Sequence, residues 1–301
     1  MKKKKRNLKL QLQLFAFLLP GLLVTLIFHY IPMYGVSIAF KDVHIGQSLW
    51  EGTWVGFKHF ERLFNSELFT IILKNTLIVT FVNNFLLWPL PILFALLVHN
   101  STSNKIRKFS QTTTYLPHLI STVVVINIIS LFVNGETGLI NIIREQFGMD
   151  GIQFLGEEQY FRPIYWISEI WQTLGSNAVI YIAALSSVDT QLEEAAMMDG
   201  ASKIQRMWYI DIPAIKPTIV VMLIMNMGKM LTLGYEKILL MQNDLNLGVS
   251  EILGTYIYKT GLVGGQYSFA AAVNLFQNLI GLVLVVVTNR IAKKVSDISL
   301  Y

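Results

Sequence analysis

The sequence predicts an all-α integral membrane protein, with six transmembrane helices, both termini cytoplasmic and a cytoplasmic helix–turn–helix loop between helices four and five. Three observations predict it. Charged residues are 14% of the 301-residue chain and hydrophobic residues 53%, with a mean hydropathy of +0.51. A soluble domain carries about 25% charged residues, so a soluble enzyme is excluded as a class. The apolar residues are gathered into six blocks, near 14–33, 73–98, 113–133, 164–188, 218–241 and 269–291. Each is close to the roughly 20 residues that cross a bilayer as a helix; none alternates with the period of a barrel strand. The cations then divide unevenly: of 24 Lys and Arg, 15 lie at the termini or in segments 99–112 and 189–217, 6 lie in the intervening segments, and Lys74, Lys229 and Lys237 lie within blocks. Cytoplasmic segments hold such an excess, which places both ends inside; 11 of the 19 acidic residues lean to the outside. The chain reads as one transmembrane domain, 1–301. The absence of cysteine excludes disulfides, Cys-zinc sites and thiol chemistry.

The first block follows MKKKKR, a polybasic anchor suited to an anionic inner leaflet. The same opening resembles a signal peptide, but the apolar run continues to about Met33 without a small-x-small cleavage site, so a retained span is expected. Segment 50–65, WEGTWVGFKHFERLFN, mixes aromatics with charges and suits a short interfacial helix. In the second block Trp88-Pro89-Leu90-Pro91 places two prolines where they should bend or interrupt the span. The third block leads to 138–147, GLINIIREQF, a second short amphipathic helix; either short helix serves as a packed loop or as a partner contact. No repeat of fixed period is present.

Between blocks four and five, 189–217 reads DTQLEEAAMMDGASKIQRMWYIDIPAIKP. Thr190-x-x-Glu193 is a capping-box pattern that starts a helix at Thr190, and Ser202-x-x-Gln205 starts a second, running to about Tyr209. Gly200 falls just past the end of the first helix, where a left-handed residue is needed. Pro213 is expected to stop the second helix and Pro217 to open the next span. The first helix presents Ala195 and Ala196 beside Glu193 and Glu194, a small surface that another backbone can approach, flanked by carboxylates.

At these residues the chain resembles the permease subunits of binding-protein-dependent ABC importers. Their signature is Glu-Ala-Ala, three residues, Gly, nine residues, then Ile-x-Leu-Pro. Here it stands as Glu194-Ala195-Ala196, Gly200 and Ile210-Asp211-Ile212-Pro213, with Ile212 in place of Leu, a volume-conserving exchange. FLLPGLLVTLIFHYIPMYGVSIAFKD, WVGFKHFERLF, TTTYLPHLISTVVV and the late YIYKTGLVGGQYSFAAAVNLFQNLIGLVLVVVTNRIAKK look like the carbohydrate-importing branch, and within it like permeases for oligosaccharides, including uronic-acid-containing ones. The resemblance implies a prokaryotic cell-membrane assembly: a second, often non-identical six-span permease, two cytoplasmic ATPase subunits, and an extracellular solute-binding protein that delivers the sugar. It implies an ATPase-coupling role for Glu194, Ala195, Ala196 and Gly200, supported by Glu193, Asp199 and Pro213. The chain has no G-x-x-x-x-G-K-[ST] phosphate loop. No catalysis, metal or cofactor is therefore expected in it, and ATP and Mg are expected on the partner ATPases.

Polar side chains at membrane depth are costly unless they face a bundle interior or a wet cavity. Asn226, Lys229, Leu233 and Glu236 recur at helical steps in block five, with Met230 and Lys237 at the border of the stripe. Glu169, Gln172 and Ser176 do the same in block four with Trp171 alongside, as do Asn274, Gln277 and Asn278 in block six. These faces suit a sugar path, because amides and carboxylates bind hydroxyls and aromatic faces stack on the pyranose ring. Lys229 would suit an acidic sugar. The alternative is interhelical glue. A second functional reading, an ion-coupled secondary transporter with Glu169, Lys229 and Glu236 as a relay, calls for paired inverted repeats, and none is visible. The five histidines lack metal-ligand spacing, and the basic N-terminus reads as a topology determinant rather than a nucleic-acid site.

Overall fold

The computed structural model describes residues 8–44, 46–48, 51–232 and 234–296. The polybasic stretch 1–6 and Leu233 lie outside them. The helices in order are α1 (Leu8–Thr25), α2 (Lys58–Phe64), α3 (Glu67–Phe81), α4 (Pro89–His99), α5 (Asn104–Tyr115), α6 (Thr122–Val133), α7 (Leu139–Gln146), α8 (Glu158–Leu185), α9 (Thr190–Met198), α10 (Lys203–Arg206), α11 (Ile212–Lys229), α12 (Tyr235–Met241), α13 (Leu247–Ser250), α14 (Leu253–Tyr258) and α15 (Tyr267–Ser296). The short strands β1 (Lys41–Asp42) and β2 (Thr53–Trp54) pair antiparallel. Among the described residues, four helices are long and apolar enough to cross a membrane: Leu12–Phe40, Glu67–His99, Lys203–Lys229 and Tyr267–Lys294. A bent pair, Asn104–Leu119 with Thr122–Val133, makes a possible fifth.

Two compact units result, one from residues up to Asn65 with Ile257–Phe276, the other from Ser66–Tyr256 with residues from Gln277 onward. In the first, α1 continues through a π turn (Leu26–Tyr30) and a 3-10 stretch (Ile31–Phe40). The apolar run therefore extends past Met33 to Phe40. The β1–β2 hairpin sits on α2, the short helix expected within 50–65. Lys58 Nζ donates to Asp42 Oδ2 at 2.9 Å and His59 Nε2 meets the Lys41 carbonyl at 3.0 Å. The hydrogen bond from Lys58 holds the Asp42 carboxyl below its usual range. Ser268 Oγ accepts from the Val43 amide at 3.0 Å, and Arg62 lies 4.2 Å from the centre of the Phe269 ring.

In the second unit α8 is the central element. Near the start of α8, Phe161 and Tyr165 pack with Val79, Ile126, Ile238, Met241 and Ile252. Near its end, Ala178, Tyr181 and Leu185 pack with Ile92, Ala95, Leu96 and Ile215. Gly175 lets the backbone of α5 lie against α8, since a Cβ there would overlap Thr114. At about 1.5 Å per residue the 28 residues of α8 reach roughly 42 Å. It is not among the apolar four because Glu169, Gln172, Thr173, Ser176 and Asn177 interrupt its hydrophobic surface. The amphipathic helix expected at 138–147 is α7.

Three expectations are corrected here. Block three is not one helix: α5 and α6 meet at 102°, because Pro117 lacks an amide hydrogen and Ser121 caps a fresh helix, its Oγ accepting from Val124 at 3.5 Å. Block five breaks between α11 and α12, where Gly234 adopts φ 81°. Pro213 does not stop the second helix of the loop as expected, and Pro89 with Pro91 interrupt theirs only as a π turn between α3 and α4. Ile31, Trp88 and Ile212 each directly precede a proline, and each donates its amide five residues back, to Leu26, Asn83 and Met207. A proline ring clashes with the carbonyl four residues before it; one wide π turn moves that carbonyl aside. Glu67–His99 thus passes Pro89 and Pro91, and Lys203–Lys229 passes Pro213 and Pro217, as single helices.

Candidate functional site

The loop 186–211 is built by its own termini. Asp189, not Thr190, caps α9, its Oδ1 accepting from the Gln191 amide at 2.9 Å. Thr190 is already the first helical residue. Gly200 (φ 79°) closes α9, and the Ala201 amide donates to the Ala196 carbonyl at 2.9 Å. The capping box at Ser202 forms as expected, with bonds of 2.7 and 3.3 Å to Gln205. Pro213, rather than stopping this second helix, sits exposed in the first turn of α11.

Glu194, Ala195, Asp199 and Gly200 are exposed and Ala196 is half-buried. Around them Leu192, Met197, Ile204, Trp208 and Tyr209 are exposed too, and Met198 is 89% exposed. An apolar surface of this extent beside a carboxylate is what a protein partner would cover. Glu193 departs from its neighbours. It turns inward, with Oε1 accepting from His99 Nε2 at 3.1 Å and Oε2 lying 3.8 Å from Arg206 Nη1.

A cavity of about 240 Å³ lies among the π turn Val82–Leu87, the start of α4, α8, α11 and Gly234. Asn83, Asn84, Trp88, Glu169, Asn177, Tyr181 and Asn226 line it. Glu169 accepts from Lys237 Nζ at 2.7 Å; the lysine side chain is 4% exposed and the carboxylate 26%. Carboxylate and ammonium cancel, so the cavity is polar without net charge. Asn83 Nδ2 donates to the Tyr165 hydroxyl at 3.1 Å, fixing one wall. Gly234 fits beneath that hydroxyl, which an added Cβ would overlap.

Of the residues expected on the path, Glu169 and Asn226 line this cavity. Gln172 is buried and donates to the Ile120 carbonyl at 3.3 Å, holding the α5–α6 break. Gln277 donates to the Leu231 carbonyl, beyond the end of α11. Both are interhelical glue. Met230 is buried in packing, while Trp171, Lys229, Glu236, Asn274 and Asn278 are exposed and none lines the cavity. Leu233 falls outside the described residues. Because of the break at Gly234, residues on its two sides no longer share one helical face. Asn83, Asn84, Trp88, Asn177 and Tyr181 were missed, although the adjacent amides Asn83-Asn84 inside an apolar block were a readable signal.

The chain is similar over its whole length to the polygalacturonan/rhamnogalacturonan transport system permease protein YteP of Bacillus subtilis (strain 168), 42% identical over 302 residues covering 100% of this chain and 94% of YteP. Protein LplB of the same organism is 39% identical, with 96% of this chain and 91% of LplB covered. A chain in the crystal structure of a bacterial alginate ABC transporter, in complex with alginate pentasaccharide-bound periplasmic protein, superposes with a TM-score of 0.90 at 36% identity, covering 98% of each. The family model for the binding-protein-dependent transport system inner membrane component matches residues 88–297. That match takes in the α9 loop and most of the cavity wall, and the chain belongs to this family, the permease subunits of ABC importers.

Proposed function

We propose that this chain is the membrane-spanning permease subunit, a single transmembrane domain, through which an ATP-driven importer moves an oligosaccharide, including uronic-acid-containing ones. The observation that carries the substrate class is the cavity: four amides, Trp88, Tyr181 and one charge-compensated carboxylate, on a chain similar to permeases named for polygalacturonan/rhamnogalacturonan and found in an alginate transporter. Sugar hydroxyls pair with amides and the pyranose face stacks on aromatic rings. A cavity of about 240 Å³ accommodates one sugar ring at a time, as a chain threaded through a permease requires.

The remaining parts follow from that reading. The six apolar blocks form six spans with both termini cytoplasmic, α8 being the fourth span, shielded by its neighbours. The exposed apolar surface of Leu12–Phe40 faces lipid or a second permease. A solute-binding protein delivers the sugar from outside. Two ATPase subunits, holding ATP and Mg, dock on α9 through Glu194, Ala195, Ala196, Asp199 and Gly200, with Pro213 beside the groove. ATP closes the ATPase pair, α9 moves and the path opens outward; hydrolysis returns it to the inward-open state.

The test is reconstitution with the ATPases and the binding protein. Glu194→Lys or Gly200→Asp should release the ATPase and abolish uptake while membrane insertion continues. Wild-type ATPase co-purification with normal uptake in both variants would contradict the docking surface. Uptake by the lone chain under an ion gradient without ATP would replace the whole reading with secondary transport.

A further inference from the structure

Glu193 and Glu194 are adjacent, and successive side chains on a helix diverge by about 100°. Glu194 faces outward and Glu193 faces the end of α4. There His99, the last residue of α4, donates from Nε2 to Glu193, while its carbonyl accepts from Arg107 Nη2 at 2.8 Å. The next residue, Asn100, donates from Nδ2 to Asp211 Oδ2 at 2.7 Å, and Asp211 is fully buried. Arg206, itself 9% exposed, faces the second oxygen of Glu193. Ligating atoms of His99, Glu193 and Asp211 fall within 4.8 Å of one another, but Arg206 and Asn100 already face the two carboxylates, so the cluster is an ion-paired junction rather than a cation site.

We propose that this junction transmits the motion of α9 to the cavity, with Glu193 and His99 as the positioning pair through which α9 drives α4. α4 is an 11-residue rod, roughly 16 Å long, that packs along α8 through Ile92, Ala95 and Leu96. One end is held by Glu193. The other end follows the π turn that carries Asn83 and Asn84 into the cavity wall, with Trp88 at the junction. That turn is the weak point of Glu67–His99, because Pro89 supplies no amide and a π turn bonds less favourably than an α turn. A push delivered at His99 therefore pivots α4 at Val82–Leu87 and shifts the cavity amides. Glu194 receives the partner and Glu193 passes the displacement inward.

This inference rests on the docking reading of α9, and one experiment separates the two. In the assembled transporter, His99→Ala and Glu193→Ala should keep the ATPase bound at wild-type yield and still hydrolysing ATP, while sugar moved per ATP falls at least about fivefold. The chain contains no cysteine, so the His99→Cys, Glu193→Cys pair can be joined by a short bis-methanethiosulfonate bridge, with the unsubstituted assembly as control. Bridging should restore the sugar-to-ATP ratio without changing the yield of assembled transporter, whereas a folding contact would show in that yield. A wild-type ratio in both alanine variants, or a low ratio that persists once mass spectrometry shows the bridge formed, overturns the proposal. Glu194→Lys run in parallel reports on docking alone: loss of the ATPase there with unaltered coupling in the alanine variants sinks only the transmission route.

Discussion

Removing one member of the Glu169–Lys237 pair should cost more when the carboxylate goes than when the ammonium goes. The asymmetry follows from exposure: Lys237 is only 4% exposed, whereas Glu169 is 26% exposed and lines the cavity. Breaking a buried ion pair leaves an uncompensated charge at about 3–5 kcal/mol. Glu169→Gln leaves Lys237 with a neutral amide oxygen and should cost about 3 kcal/mol, the low end of that range. Lys237→Met leaves a carboxylate that cavity water can solvate, at about 1–2 kcal/mol. The double variant removes both charges, so it should recover about 2 kcal/mol relative to the sum of the singles. The assay is survival of the detergent-purified transporter after heating, read by size-exclusion chromatography as a ranking, because membrane proteins unfold irreversibly. The expected order is wild type, then Lys237→Met, then the double variant, then Glu169→Gln. Additive singles, or Lys237→Met below Glu169→Gln, would refute the assignment of the buried charge.

Two further outcomes follow from backbone geometry. Gly234→Ala should destabilise by about 2–3 kcal/mol, from the left-handed backbone and the displaced Tyr165 hydroxyl together; adding Tyr165→Phe should return only the steric part, and complete recovery in the same heating assay would show that φ carries no strain. Deleting the exposed Tyr209 removes the extra residue of the π turn Met207–Asp211 and drives Pro213 against a carbonyl, at about 3 kcal/mol; Pro213→Ala should relieve that deletion, and equal losses with Pro and Ala would show that packing, not the ring, sets the wide turn.

The caps of the α9 loop were legible because they are local. Ser202 with Gln205, and Gly200 at its left-handed position, need only their neighbours in sequence. Asp189 and Thr190 are both good caps one residue apart, and composition cannot choose between them. Pro213 misled for a physical reason. Pro117 does break a helix, since Ser121 stands ready to cap the next one. Pro32, Pro89 and Pro213 do not, since the wide turn before each restores the hydrogen bonding. In an apolar setting a broken helix leaves amides and carbonyls without partners, so where no capping side chain is at hand the chain keeps the helix and widens one turn.

The charged residues expected on the path were harder to read, because helical spacing assigns faces only while one helix continues. Lys229 and Lys237 are eight apart, close to two turns and so nearly on one stripe of an unbroken helix. Gly234 separates them: Lys229 ends α11 exposed, and Lys237 turns inward from α12 to Glu169. A glycine in an apolar block is a weak signal by itself. Here the decisive facts were distant in sequence, a carboxylate 68 residues away and the Tyr165 hydroxyl that excludes any side chain at 234. An uncompensated lysine at membrane depth is expensive, so the better guide to the path was never a cation's place on a stripe but which cation had a carboxylate within reach. By that criterion Lys237 is the compensated lysine, because it is paired with Glu169, and it is Glu169, not the ammonium behind it, that lines the cavity.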